Sequence, residues 1–327
     1  MHSVNFKKYF NEIIIQHNGL GRPDTIASVL KKLDCVSDCM VLHHYIVQNG
    51  DDSSLFLASH LLHCYLKWKY KEDGWAFFES MHDRNVYSWN HLIQSYMKDP
   101  YSDDGNDNDC DGIKILECFN RMQEESVLPN RTTFASVISG QCELRKSIQC
   151  EKQIERMHAC IACSQHQHEI MLCTLLLKKY GQFGRLEDAL SIFNIVIARD
   201  VVIWTTLIIC FAEKGHIKES LQFFHQMQED GIFRPNNITF IGILAEYAKY
   251  GGLEEGQLIH YHILVEGLET DIAISNALIN MYGKCGSLDD AIQIFDIIPD
   301  RNVVTWTSMV TLYTQKGYGK VALTLFD

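Results

Sequence analysis

No stretch rich in Pro, Gly or Ser parts the 327 residues of this chain into separate domains, although that length exceeds the usual size of one compact core. Long apolar runs are missing too. The longest extends from Val201 to Ala212, contains Thr205 and Thr206, and is too short to cross a bilayer, so no membrane span is expected. Residues 1–22 carry few basic or hydroxyl side chains and already look like half of a recurring unit, so no targeting peptide is expected there. A phosphate-cradling glycine loop, a nucleophile elbow and a His-x-Glu with Cys-x-x-Cys are all absent, which favours a binding protein over an enzyme. Positive charge is scarce, with 29 Lys and Arg against 41 Asp and Glu and a net charge of -12.

What is present is a recurring aromatic residue: Tyr65, Tyr96, Tyr180, Phe211, Tyr247, Tyr282 and Tyr313, separated by 31, 84, 31, 36, 35 and 31 residues. Self-similarity at that period marks a solenoid, in which each unit buries its apolar face only against its neighbours. A stack of this kind also accounts for a long chain without linkers. The 12 cysteines lie mostly in apolar periodic stretches, as at Cys64, Cys173 and Cys210, and read as reduced, buried thiols.

One unit is clearest from Ile272 to Asn302. Leu278, Ile279 and Tyr282 follow Ser275 at helical spacing, and Leu288, Ala291, Ile292, Phe295 and Ile298 form a second stripe, which predicts a helical hairpin. Gly286 is expected to close the first helix in the left-handed conformation and Ser287 to cap the second, with Asp289 and Asp290 in its positive first turn. The twentieth residue of each unit is small (Gly74, Ala189, Ser220, Gly256, Ala291, Ala322), as a close helix crossing requires. Four residues later stand Phe78, Phe193, Phe224, His260, Phe295 and Phe326, read as core plugs between hairpins.

Cut at this pattern, the repeats are 25–54, 55–85, 86–130, 131–169, 170–200, 201–236, 237–271 and 272–302, with partial repeats at 1–24 and 303–327. Lengths alternate among 31, 35 and 36 except where residues of about 99–111, acidic and rich in Gly and Asn, form an expected loop insertion, and where Gln141 replaces the aromatic. The expected fold is all-α, a superhelical solenoid of about ten helix-turn-helix repeats.

The runs NALINMYGKCGSLDDAIQIFDIIPDRNVVTWTSMV and RDVVIWTTLIICFAEKGHIKESLQFFHQMQEDGIFRPNNITF resemble pentatricopeptide repeats of the class that alternates standard, long and short units. The resemblance implies a right-handed superhelix that binds single-stranded RNA, not DNA, one base per repeat. It further implies that the fifth and last residues of a unit meet the base edge and the second packs on the base face. Carried over, Ser59 with Asn85 reads adenine, Asn90 with Asn130 cytosine, Thr174 with Asp200 guanine, Thr205 with Asn236 adenine, and Asn276 with Asn302 cytosine or uracil. Thr307 suggests a purine. Ala135 with Glu169 and Ile241 with Asp271 fit no base. Base-face contacts fall to Phe56, Tyr87, Met171, Val202, Ala273 and Val304. The resemblance also implies a specificity factor in organellar RNA processing or cytidine-to-uridine editing, in a mitochondrion or plastid. Family members often carry a deaminase-like domain after the array; this chain stops inside a unit, so catalysis is expected from further sequence or from a deaminase or accessory protein in trans, and no cofactor is implied.

Three features pull the other way. The net charge opposes a polyanionic partner, although Asp99, Asp103, Asp104, Asp107, Asp109 and Asp111 of the insertion supply half of it. His158, Cys160, Cys163, His166 and His168 are dense enough to suggest zinc, but His158 falls where His43 and His260 fall in other long units and no second cysteine pair follows. A protein-binding scaffold of the tetratricopeptide kind shares the hairpin architecture, yet keeps a constant period of 34, unlike this chain. A fragment without function is the remaining alternative.

Overall fold

An Asn or Asp just before an apolar run can accept an N–H that the first turn of a helix leaves unpaired. In the computed structural model of the protein, Asn85, Asn130, Asp200, Asn236, Asp271 and Asn302 each do so, with N···O distances of 2.9–3.1 Å. The structure describes residues 23–30, 36–48, 54–67, 71–97, 109–140, 148–250 and 252–324. The partial repeat expected over 1–24 apart from its last two residues, the insertion over 99–108, Gln141 and Phe326 lie outside them.

The described residues form helices and no strand. They belong to two compact units, residues 1–166 and 167–327. The first contains α1 (Pro23–Leu30), α2 (Val36–Gln48), α3 (Leu55–Lys67), α4 (Lys71–Ser80), α5 (Val86–Ser95), α6 (Asp109–Glu124), α7 (Arg131–Gly140) and α8 (Ile148–Ala162). The second contains α9 (Ile170–Phe183), α10 (Leu186–Ile195), α11 (Val201–Glu213), α12 (Ile217–Glu229), α13 (Asn237–Tyr250), α14 (Leu253–Val265), α15 (Ile272–Cys285), α16 (Leu288–Ile297), α17 (Val303–Gln315) and α18 (Gly319–Thr324). Within each unit every odd-numbered helix packs on the next odd-numbered one, while α4, α10, α14 and α16 pack on both their hairpin partner and the helix that follows. Each unit is thus a solenoid of helical hairpins, with one layer of first helices and one of second helices.

The recurring aromatics close the first helices. Tyr65, Tyr96, Tyr180, Phe211, Tyr247 and Tyr282 are all buried. Tyr65 and Tyr282 reach back to the preceding hairpin, where their hydroxyls lie 2.9 Å from His43 Nδ1 and 2.8 Å from His260 Nδ1. Burial holds His260 below its usual pKa and pushes Tyr282 up to about 12, so the phenol donates to a neutral imidazole.

Adjacent hairpins are joined by a clasp that recurs three times. Phe78, Phe193 and Phe295 meet Trp89, Trp204 and Trp306 edge to face at 4.6, 4.6 and 5.0 Å. Arg84, Arg199 and Arg301 lie over those Phe rings at 5.0, 4.3 and 4.4 Å and donate Nε–H to the Phe carbonyls. Each aromatic pair contributes about 0.5–1.5 kcal/mol beyond burial, and the guanidinium adds about as much again. Phe78, Phe193, Phe224 and Phe295 are therefore core, as their spacing suggests, while His260 at the equivalent place is half-buried.

Two expectations need correction. Gly286 does take the left-handed conformation at φ 95°, but Ser287 accepts no backbone N–H; its hydroxyl donates to Asp290 Oδ2 at 2.6 Å. The small twentieth residue does not serve the hairpin crossing everywhere. A Cβ on Gly74 would come within 2.6 Å of Leu66 in the same hairpin, whereas one on Gly256 would come within 2.5 Å of Met281 in the next.

Candidate nucleic-acid interface

Twice a fifth residue of one first helix is linked by hydrogen bonds to the cap of the next. Asn90 Nδ2 donates to Asn130 Oδ1 at 3.2 Å, and Asn90 Oδ1 accepts from Thr133 Oγ1 at 2.7 Å. Thr205 meets Thr239 hydroxyl to hydroxyl at 2.7 Å, and Thr239 Oγ1 donates to Asn236 Oδ1 at 3.1 Å. Three Thr residues in the first turn bond the cap: Thr239 and Thr305 donate Oγ1–H to its Oδ1, whereas Thr133, whose proton goes to Asn90, accepts the Asn130 N–H at 3.1 Å. Each stands three residues after its Asn cap, the capping-box spacing, which is the signal in the sequence that marks it. Asn276 differs from Asn90: its Oδ1 is buried without a hydrogen-bond partner.

Elsewhere the expected pairs do not touch. Ser59, Thr174 and Thr307 each donate to the carbonyl four residues earlier, at 2.8, 2.8 and 2.7 Å, which leaves their oxygens as acceptors. Capping decides what the last residue still offers. Asn85, Asn130, Asn236 and Asn302 commit Oδ1, so the remaining polar atom is an Nδ2 donor. Asp200 commits Oδ1 to Ile203 N–H and keeps an Oδ2 acceptor. Asp271 has both oxygens engaged, Oδ1 with Ala273 and Ile274 and Oδ2 with Asn237 Nδ2 at 2.6 Å.

Around these groups stand exposed apolar side chains: Phe56, Tyr87, Val202 and Val304 at 46, 64, 60 and 58 % exposure, with Ala273 exposed and Met171 half-buried. Ile238, 69 % exposed, holds the same place in α13, although Ile241 and Asp271 of its unit fit no base. Val202 and Ile238 flank a cleft of about 320 Å³ that also contains Thr205, Asn236 and Lys178. A second cleft of about 310 Å³ contains Val304, Thr307 and Lys284.

Charge is sorted by layer. In residues 167–327 the first helices carry Lys178, Lys179, Lys249 and Lys284 against Glu213 and Glu246. The second helices hold acid pairs in their first turns, Glu187 and Asp188, Glu254 and Glu255, Asp289 and Asp290, where the helix dipole favours them. The net charge therefore misstates the face that presents the polar sites.

Of the zinc candidates, Cys160 lies 3.9 Å from Gln123 Nε2, His166 packs near Phe134, Cys163 and His168 are exposed, and His158 is half-buried in α8. Among the described residues no group of three or more His, Cys, Asp or Glu is arranged to hold a metal ion, no disulfide joins the cysteines whose side chains are described, and no helix is long and apolar enough to cross a membrane.

Profiles of the PPR repeat match residues 172–201, 274–303 and 304–327, and that of the PPR repeat family matches 199–249. The chloroplastic pentatricopeptide repeat-containing protein CRR2 of Arabidopsis thaliana is 29 % identical over 293 residues, covering 89 % of this chain and 43 % of that protein. A mitochondrial pentatricopeptide repeat-containing protein of the same plant is also 29 % identical, covering 96 % of this chain and 47 % of its own length. This chain thus spans less than half the length of these relatives. Among solved structures, the maize pentatricopeptide repeat protein PPR10 superposes with a TM-score of 0.71 at 17 % identity, covering 99 % of this chain and 46 % of that one. A structure of PPR10 with an 18-nucleotide psaJ RNA element superposes with a TM-score of 0.67 at 17 % identity, covering 96 % of this chain and 44 % of that one.

Proposed function

Because this chain belongs to the pentatricopeptide-repeat family, we propose that it binds single-stranded RNA along the layer of first helices, one base per repeat and with no selectivity at the long repeats, in the repeat register set out from the sequence. The observation that carries this reading is the Val202–Ile238 cleft, where two aliphatic side chains flank a hydroxyl, an amide and a lysine. A base slotted there has apolar contact on both faces and polar groups at its edge.

Cap chemistry supplies the selectivity. An Asn cap keeps only a donor, which suits the ring acceptors N1 of adenine and N3 of cytosine; an Asp cap keeps an acceptor, which suits the N1–H of guanine. This matches adenine at Ser59 with Asn85, cytosine at Asn90 with Asn130, guanine at Thr174 with Asp200, adenine at Thr205 with Asn236 and cytosine at Asn276 with Asn302. At the last of these, Asn276 Oδ1 is buried without a partner in the free protein; turned outward by rotation of its side chain, it accepts the exocyclic amine of cytosine and repels the carbonyl of uracil. Asp271, with both oxygens engaged, reads nothing.

The alternating class, the mitochondrial or plastid setting and a role as specificity factor in RNA processing or editing form part of the same proposal, with any deamination supplied by further sequence or by a partner in trans. Sequencing of RNA crosslinked to the protein tests it. The expected enrichment is adenine, cytosine, any, guanine, adenine, any, cytosine, purine from the 5′ end; reads without that pattern contradict it.

A further inference from the structure

Residues 1–166 hold a group of imidazoles that the base-reading scheme does not use. His63 and His91 pack against each other with ring centroids 4.7 Å apart and the rings tilted by 45°. His60, one turn before His63, donates Nδ1–H to the Phe56 carbonyl at 2.9 Å and packs on the Phe56 ring at 4.5 Å. Their places in the helices are informative. The ninth residue of α9 is Lys178 and the sixth of α11 is Thr206, both lining the cleft with Val202 and Thr205. The ninth residue of α3 is His63 and the sixth of α5 is His91. A titratable ring thus stands where the other unit keeps a permanent cation.

We propose that His60, His63 and His91 form a site for an RNA backbone phosphate that takes up protons as it binds. The proposal rests on the RNA-binding reading above.

Among the described residues no counter-ion faces these imidazoles. Burial holds His63 below its usual pKa, with Lys67 and His60 acting in the same direction; burial holds His91 at about 4, with His63 and His60 adding to it. On the helices packed against α3 and α5, His43 bonds Tyr65, His44 bonds Gln48, Asp73 bears on Tyr65, Glu79 pairs with Arg84 and Arg121, and Glu117 bears on Cys118. The described side chains of α1 are uncharged, and α7 brings Arg131. No described carboxylate bears on either ring. A phosphate placed there supplies the missing negative charge, raises the imidazole pKa and draws in protons. By linkage, affinity must then rise as pH falls through the bound-state pKa toward the lower free-state value.

Fluorescence anisotropy with a single-stranded RNA of the pattern given above, at fixed ionic strength, tests this. Binding by the wild type should tighten about tenfold from pH 7.5 to 6.0, and that of H60Q/H63Q/H91Q less than about twofold, since one coupled proton is worth a factor of ten per pH unit. The salt slope of the wild type alone should steepen at pH 6.0, by about 0.7 per phosphate newly neutralised. Thermal melts at each pH separate loss of fold from loss of binding, and H63Q alone should show an intermediate response. A wild type indifferent to pH, or a triple variant that keeps the full response, overturns the proposal while RNA binding stands. Failure to bind RNA at any pH contradicts the RNA-binding reading itself.

Discussion

Asn90 and Asn276 occupy the fifth place of their helices, each followed by a helix with an Asn cap and a Thr three residues later, yet they differ in state. Asn90 is tied to Asn130 and Thr133 before any ligand arrives. Asn276 keeps a buried amide oxygen with no partner, although Asn302 and Thr305 bond each other as their counterparts do. A satisfied polar network fixes the reading residue and stabilises the fold; an open one costs stability in the free protein and leaves an acceptor for a base. Like residues in like positions thus divide structural and recognition roles differently.

Substitutions can sharpen that contrast. Asn130→Ala removes a cap and both hydrogen-bond partners it offers, and should destabilise by about 2–3 kcal/mol in urea melts; Asn302→Ala removes a cap and its Thr305 bond, and should cost about 1 kcal/mol. Equal costs would remove the distinction. Asn90→Leu strips Thr133 and Asn130 of a partner and should cost about 1–3 kcal/mol, whereas Asn276→Leu should leave stability within about 0.5 kcal/mol of wild type. In RNA competition assays Asn276→Leu should lose about tenfold of its preference for cytosine over uracil at that base, since one such polar contact is worth about 1–1.5 kcal/mol.

A smaller effect concerns pH. His260 is held below its unfolded pKa of about 6.5 by burial and accepts a bond from Tyr282. The unfolded chain therefore binds more protons between that value and the folded pKa, so stability is full above about pH 6.5 and declines as pH falls below it. Melting temperatures at pH 7.5 and 5.5 should show the loss, and His260→Gln should reduce the difference.

The hairpins were legible because the signals are local: Asn or Asp before an apolar run caps a helix wherever it occurs, and Gly286 closes one because glycine tolerates φ 95°. Ser287 misled because its hydroxyl had a choice of acceptor, and Asp290 won. The clasp was present three times as Arg followed by Asn or Asp, Val and, three residues on, Trp, but its meaning required knowing that Arg packs back on a Phe six residues earlier. The layering of charge was invisible in the total, since one net value averages acids at second-helix starts with lysines on first helices. Whether Asn276 finds a partner depends on packing across two hairpins, which no spacing encodes.

The account turns on the cap's remaining atom choosing the base, and Asp200 tests that with one atom changed. Asp200→Asn keeps Oδ1 as the cap but replaces the free acceptor by an amide donor. With paired RNAs differing only in guanine or adenine at that position, the wild type should prefer guanine and the variant adenine, each by about tenfold. Two proteins that bind both RNAs alike, or that share one preference, would contradict the account.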